Sequence, residues 1–203
     1  MRIVRLAFAL LLAVGLGSFV ACGGPAKGPT TAAAAAAAVH VEGKFKGQPL
    51  DAKDAIAYSL PGLQGLRILI SNETGTCGKV WQSDYKIRGI RGLQLVVAEN
   101  RGAPTSPGLF LVNDGSSARF AVGGYVAYDD QCKELEGGVD DTDAGMVAGK
   151  LTIDELDLTP GGHVSGSFDL QLKGGGHLTG TFTAPYCSQP AGVEGATFDA
   201  RCQ

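Results

Sequence analysis

The chain has 203 residues, with 17 Lys and Arg against 20 Asp and Glu, a formal net charge of −3 and 31 glycines. So weak and acidic a balance excludes the strong basic face that nucleic-acid binding requires and electrostatic attachment to anionic lipid. Once the first 38 residues are set aside as a leader and spacer, the remainder is one domain's length and can bury a real core.

Residues 1–21 have the three parts of an export signal: Arg2 and Arg5, an apolar run from Leu6 to Leu16, and small residues before a processing point. Gly15, Gly17 and Ser18 break the run, which falls short of the roughly 20 apolar residues that span a bilayer. Phe19-Val20-Ala21-Cys22-Gly23 resembles the lipobox of bacterial lipoproteins. The resemblance implies that the Cys22 thiol is acylated, with palmitate-type chains, and becomes the new N-terminus. Each buried methylene of those chains contributes ~0.8 kcal/mol of membrane attachment. An ordinary cleaved signal would instead leave Cys22 as an unpaired thiol in an oxidising compartment, which disfavours it. Processing would remove two basic and no acidic residues, leaving 15 against 20, a net of −5.

Residues 22–38 read Cys-Gly-Gly-Pro-Ala-Lys-Gly-Pro-Thr-Thr and then seven alanines, with no large apolar side chain to bury. Alanine favours helix, but a stretch this short is marginal alone, so the segment is expected to act as a tether. The folded domain is expected over 39–203.

Within that domain apolar residues alternate with polar or small ones, and Gly, Pro, Asn and Asp punctuate them at close intervals, which is a β pattern. Strands are predicted at His40–Phe45, Ala55–Leu60, Leu66–Ser71, Leu93–Glu99, Gly108–Asn113, Ala118–Tyr128, Gly149–Leu158, His163–Leu172, His177–Ala184 and Ala196–Asp199. One helical turn is expected near Thr76–Ser83. The glycine-rich Lys173-Gly174-Gly175-Gly176 reads as the loop of a hairpin. The fold class is therefore all-β, an antiparallel β-sandwich or irregular barrel of about ten short strands.

Beyond the lipid site there are four cysteines, Cys77, Cys132, Cys187 and Cys202, and an even number in an exported chain implies two disulfides. Of the three pairings, Cys77 with Cys132 and Cys187 with Cys202 is preferred, because the last two flank a short returning segment. No two lie two to four residues apart, so the spacing fails for zinc, and Cys-x-x-Cys redox chemistry has no motif.

All three histidines open one recurring phrase: His40-Val-Glu-Gly-Lys-Phe45, His163-Val-Ser-Gly-Ser-Phe168 and His177-Leu-Thr-Gly-Thr-Phe182. On a strand the Val or Leu, the Gly and the Phe share the inner face, and the histidine points outward. Across the glycine hairpin His163 and His177 fall at opposite ends, so a shared metal site is not expected and no cofactor is assigned. Asp129, Asp130, Glu134, Glu136, Asp140, Asp141 and Asp143 crowd one stretch against Lys133. No register there meets the calcium-loop pattern, since carboxylates at one, three and five never coincide with a glycine at six. A solvated acidic loop is the favoured reading.

Lys79, Trp81, Tyr85, Lys86, Arg88 and Arg91 put cations beside aromatics, opposed only by Asp84. Such a set can grip an anionic glycan, a peptide carboxylate or an acidic protein loop, and it is the candidate recognition surface. The more frequent arrangement for such a set is that the lone Trp81 is core and the cations form a solvated rim. There is no Gly-x-Ser-x-Gly elbow, no His-Glu-x-x-His helix and no phosphate loop before a helix, so no catalytic residue is assigned.

Ala148-Gly-Lys-Leu-Thr-Ile, Gly166-Ser-Phe-Asp-Leu, Gly180-Thr-Phe-Thr-Ala-Pro-Tyr-Cys187 and the phrase Phe45-Lys-Gly-Gln-Pro-Leu-Asp-Ala-Lys-Asp-Ala55 resemble small envelope lipoproteins of myxobacterial type, a group without an assigned activity. The resemblance implies an all-β cell-envelope domain and transfers no active site. With Gly23 after the cysteine, it implies the outer membrane rather than the inner. The expectation is a lipid-anchored, non-catalytic binding or structural module, held at the membrane by its lipid, with an envelope protein or glycan as partner. The alternatives are a domain binding a glycan, lipid or peptide and, least favoured, an envelope hydrolase.

Overall fold

The computed structural model describes residues 37–60, 64–83, 86–113, 116–137 and 144–189. Cys22 and its tether, Tyr85, Asp140, Asp141, Asp143, the strand predicted at 196–199 and Cys202 lie outside these residues. The elements are β1 (Ala38–Phe45), β2 (Gln48–Pro49), β3 (Asp54–Tyr58), β4 (Leu66–Ser71), α1 (Thr76–Ser83), β5 (Arg91–Glu99), β6 (Gly108–Val112), β7 (Arg119–Tyr128), β8 (Glu134–Gly137), β9 (Met146–Leu156), β10 (His163–Leu172) and β11 (His177–Pro185). Among the described residues no helix is long and apolar enough to cross a membrane.

The strands form a single curled sheet in the order β2-β1-β11-β10-β9-β6-β7-β5-β4-β3, with β8 paired to β7 off this path. Its pairings are antiparallel except β6 on β7, which is parallel and makes the sheet mixed. The curl brings the end strand β3 to the C-terminal end of β11. There Ala57 and Tyr186 form a parallel bridge, and the Cys187 N–H donates to the Ala57 carbonyl at 2.7 Å. A half-barrel results, in place of two stacked sheets.

Alternation decides which side chains fill the concave face. Along β10 every second residue from Val164 to Leu172 is buried, and the intervening residues are half-buried or exposed. Val164, Phe168 and Leu170 meet Leu151 and Ile153 of β9, Leu178 and Phe182 of β11, and Leu93, Leu95 and Val97 of β5 in one core. β3 and β4 are buried on both faces, so their apolar runs are nearly continuous. Ile56, Tyr58 and Leu69 face outward there into a second cluster with Val80, Trp81, Ile87 and Ile90.

The helix closes that outer face. Cys77, Val80 and Trp81 fall at i, i+3 and i+4, one side of α1, and lie against the cluster. Asp54 of β3 fixes where the helix begins: its Oδ2 accepts both the Thr76 N–H at 3.1 Å and the Thr76 hydroxyl at 2.9 Å.

Two expectations need correction. Cys77 is bonded to Cys187, 110 residues along the chain with Cα atoms 5.6 Å apart, so neither Cys77–Cys132 nor Cys187–Cys202 forms. The cause is the curl, which carries the end of β11 to β3 beneath α1, whereas Cys132 sits in the turn between β7 and β8. Cys132 is itself disulfide-bonded. The acidic stretch, second, is only partly loop. Glu134–Gly137 pair with β7 as β8, where the Tyr128 hydroxyl donates to Glu134 at 3.1 Å and Lys46 pairs with Glu136 at 2.8 Å.

Candidate functional site

The predicted recognition set is divided by the fold. Trp81 is only 7% exposed, with its ring edge-on to Tyr58 at 6.2 Å, so it belongs to the core and not to a surface. Lys79 on α1 lies 3.5 Å from Glu73. Ile87 and Ile90 turn inward, which leaves Lys86 half-buried and Arg88 exposed on the loop leading to β5. Arg91, at the start of β5, borders a recess.

That recess is a cleft of about 140 Å³ at one mouth of the half-barrel, lined by Phe45, Lys46, Gln48, Arg91, Tyr125, Ala127, Leu135 and Glu136. β1 ends at Phe45, and Lys46-Gly47, both at positive φ, return the chain as β2. The Phe45 ring packs on Tyr125 at 4.7 Å and forms the floor. Across the sheet Arg91 pairs with Ala127, and Ala127 with Glu136. Paired residues share a face, so a small alanine separates two charged side chains at the mouth. Lys46 donates to both Glu136 oxygens at 2.8 and 3.0 Å, and its ammonium stands 5.3 Å over the Phe45 ring. Burial pushes the Tyr125 phenol up; the Arg91 charge pulls against that, and the Glu136 charge adds to it.

A shallower groove lies at the other end of the sheet, between 103–105 and 156–159. One device pins both of its walls. Glu99 accepts from the Thr105 N–H at 2.8 Å and hydroxyl at 2.9 Å, while Asp157 accepts from the Thr159 N–H at 3.0 Å and hydroxyl at 2.7 Å. The bonds from Thr105 hold Glu99 below the usual carboxylate range, and those from Thr159 do so for Asp157. Arg119 adds an ion pair to Glu99 at 3.3 Å and covers the Phe110 ring.

The histidines stand on the outer face, each with its own carboxylate: His40 with Glu42 at 3.1 Å, His163 with Glu155 at 2.6 Å and His177 with Asp169 at 2.8 Å. His177 pairs with Gln171, eight residues along β10 from His163, or roughly 26 Å away. Among the described residues no group of three or more His, Cys, Asp or Glu side chains is placed to hold a metal ion.

Sequence reasoning reached Arg91 and missed the rest of the cleft. Lys46 and Glu136 are 90 residues apart, and nothing along the chain links the Phe45-Lys-Gly-Gln phrase to the acidic stretch that holds Glu136. The usable signal was local: the Phe45-Lys-Gly-Gln phrase marks a tight turn carrying an aromatic and a cation. Compared with known proteins, the chain matches no family model, no curated protein and no solved structure.

Proposed function

We propose that this protein is a lipid-anchored cell-envelope module that binds or braces and does not catalyse. The observation that carries the reading is where its polar groups are committed. Among the described residues the carboxylates held below their usual range, Glu99, Glu155 and Asp157, are each committed to a neighbouring side chain, Glu99 to Thr105, Asp157 to Thr159 and Glu155 to His163, so that even Glu99 and Asp157, which pin the two walls of one groove, are engaged in holding those walls. General acid–base work needs such groups aimed at a shared reacting atom. The Cys77–Cys187 disulfide supports an oxidising, exported location. The signal and lipobox phrase support acylation at Cys22, with 22–38 as the spacer and the outer membrane as the destination.

A second reading, that the domain binds a ligand, is favoured by the cleft at Phe45, Tyr125 and Arg91. Glycan or envelope-protein capture through Lys86 and Arg88, which stand on the outside of the 86–90 loop, belongs to the first.

The test is metabolic labelling of the host with an alkyne-bearing palmitate analogue. The full chain is expected to take the label and sediment with membranes, while Cys22→Ala is unlabelled and soluble in the envelope fraction. A wild-type chain that stays unlabelled and soluble overturns the anchor.

A further inference from the structure

We infer that the cleft between Phe45, Tyr125 and Arg91 binds a small organic monoanion: a carboxylate carried on an apolar body about the size of one aromatic ring. The inference rests on the reading of the domain as a binding module and names the ligand class of that site.

Size sets the first limit. The cleft holds about 140 Å³, close to the ~150 Å³ of an engineered apolar cavity that accepts benzene. A single aromatic ring fills it, a sugar ring would set its hydroxyl shell against an apolar floor, and an inorganic ion would leave that floor uncovered.

Chemistry sets the second. The Phe45 and Tyr125 rings and the Ala127 methyl offer an apolar floor, and Leu135, 49% exposed, supplies an apolar lip. Such a floor rewards a ring or a branched chain and gives nothing to a polar body.

Charge sets the third. Of the three charged groups at the mouth, Lys46 and Glu136 neutralise each other through two hydrogen bonds. Arg91 has no carboxylate partner among the described residues, and its main-chain N–H, not its guanidinium, is what Asn72 holds. Among the described residues the mouth therefore presents one uncompensated cation with a planar fork of donors, which matches a carboxylate in two parallel hydrogen bonds. Arg91 and Glu136 flank Ala127 in register, so an incoming carboxylate meets Arg91 on one side. Glu136 repels it on the other, softened by Lys46. That asymmetry orients the anionic end toward β5 and the body over the rings.

The test uses the full chain in detergent, with fluorine NMR of three probes: 4-fluorobenzoate, 4-fluorobenzyl alcohol and 4-fluorobenzylamine. Line broadening by wild type is expected for the benzoate, at least tenfold weaker for the neutral alcohol and absent for the amine. Arg91→Gln should weaken benzoate binding at least tenfold and leave the alcohol unchanged. Glu136→Gln should strengthen it several-fold, because it releases the Lys46 ammonium to the ligand. This opposite sign separates a charge effect from loss of fold, which would weaken every probe in both variants. A benzoate line untouched by wild type, or equal benzoate binding by wild type and Arg91→Gln, overturns the proposal. Either result leaves the palmitate labelling at Cys22 unaffected, so the anchored-module reading fails or stands on its own measurement.

Discussion

Phe168 of β10 lies directly opposite Gly180 of β11, and its Cζ stands 2.7 Å from the place a Cβ on Gly180 would occupy. The relationship is reciprocal: Phe182 lies opposite Gly166, with its Cζ 3.1 Å from that glycine's missing Cβ. The recurring His-x-x-Gly-x-Phe phrase thus has a packing cause. Two copies run antiparallel around a glycine hairpin, which sets each Gly against the other copy's Phe, and each ring covers bare backbone.

Gly180→Ala is expected to lower stability by about 2 kcal/mol. The new methyl would meet the His40 carbonyl oxygen at 2.3 Å, which is backbone, as well as the Phe168 ring. Phe168→Ala alone should lower it by about 3–5 kcal/mol. The double variant should cost less than the sum of the two, because removing the ring relieves half of the clash. Urea unfolding of the four proteins measures the coupling, and strict additivity would refute the contact.

Removing the Cys77–Cys187 bridge by Cys77→Ala with Cys187→Ala should reduce stability by about 4 kcal/mol. The bond closes a loop spanning 110 residues and restrains the unfolded chain accordingly. Denaturation followed by Trp81 fluorescence reads the change. A mass map of the unreduced protein should recover the peptides of Cys77 and Cys187 joined.

Asp54→Ala should cost about 2 kcal/mol and loosen α1 first, since it strands two buried donors of Thr76. Asp54→Asn keeps one acceptor and should cost less. Hydrogen exchange is the measurement: protection should fall in α1 before it falls in the β9, β10 and β11 strands.

Acid should destabilise the protein through Glu99, Glu155 and Asp157. Hydrogen bonds from Thr105, His163 and Thr159 respectively are the leading causes that hold these carboxyls below their ordinary pKa. A depressed folded-state pKa contributes stability above the unfolded value and loses it as pH falls through the folded one. The loss therefore opens near the ordinary carboxylate pKa of about 4 and grows downward. Unfolding midpoints measured from pH 6 to pH 2 should fall less steeply in Glu99→Gln and Asp157→Asn than in wild type. Parallel profiles would show that these bonds do not differ between the folded and unfolded chains.

The sequence by itself determined what depends on neighbours along the chain. Period-two alternation in 163–172 and 177–185 dictated strands and their buried faces, and Lys173–Gly176 dictated the hairpin. Gly175, at φ 86, takes the left-handed backbone that the turn demands. The i, i+3, i+4 spacing of Cys77, Val80 and Trp81 dictated a short amphipathic helix. β2 and β8 escaped because two and four residues are too few to show a period. The tertiary structure alone decided the choice of a half-barrel, the edge-on contact of Trp81 with Tyr58, the partner of Cys77 and the meeting of Lys46, Arg91 and Glu136. Each of these depends on how far the sheet curls. The curl is the summed twist of many strands packed on one core, and no short stretch of sequence carries that sum.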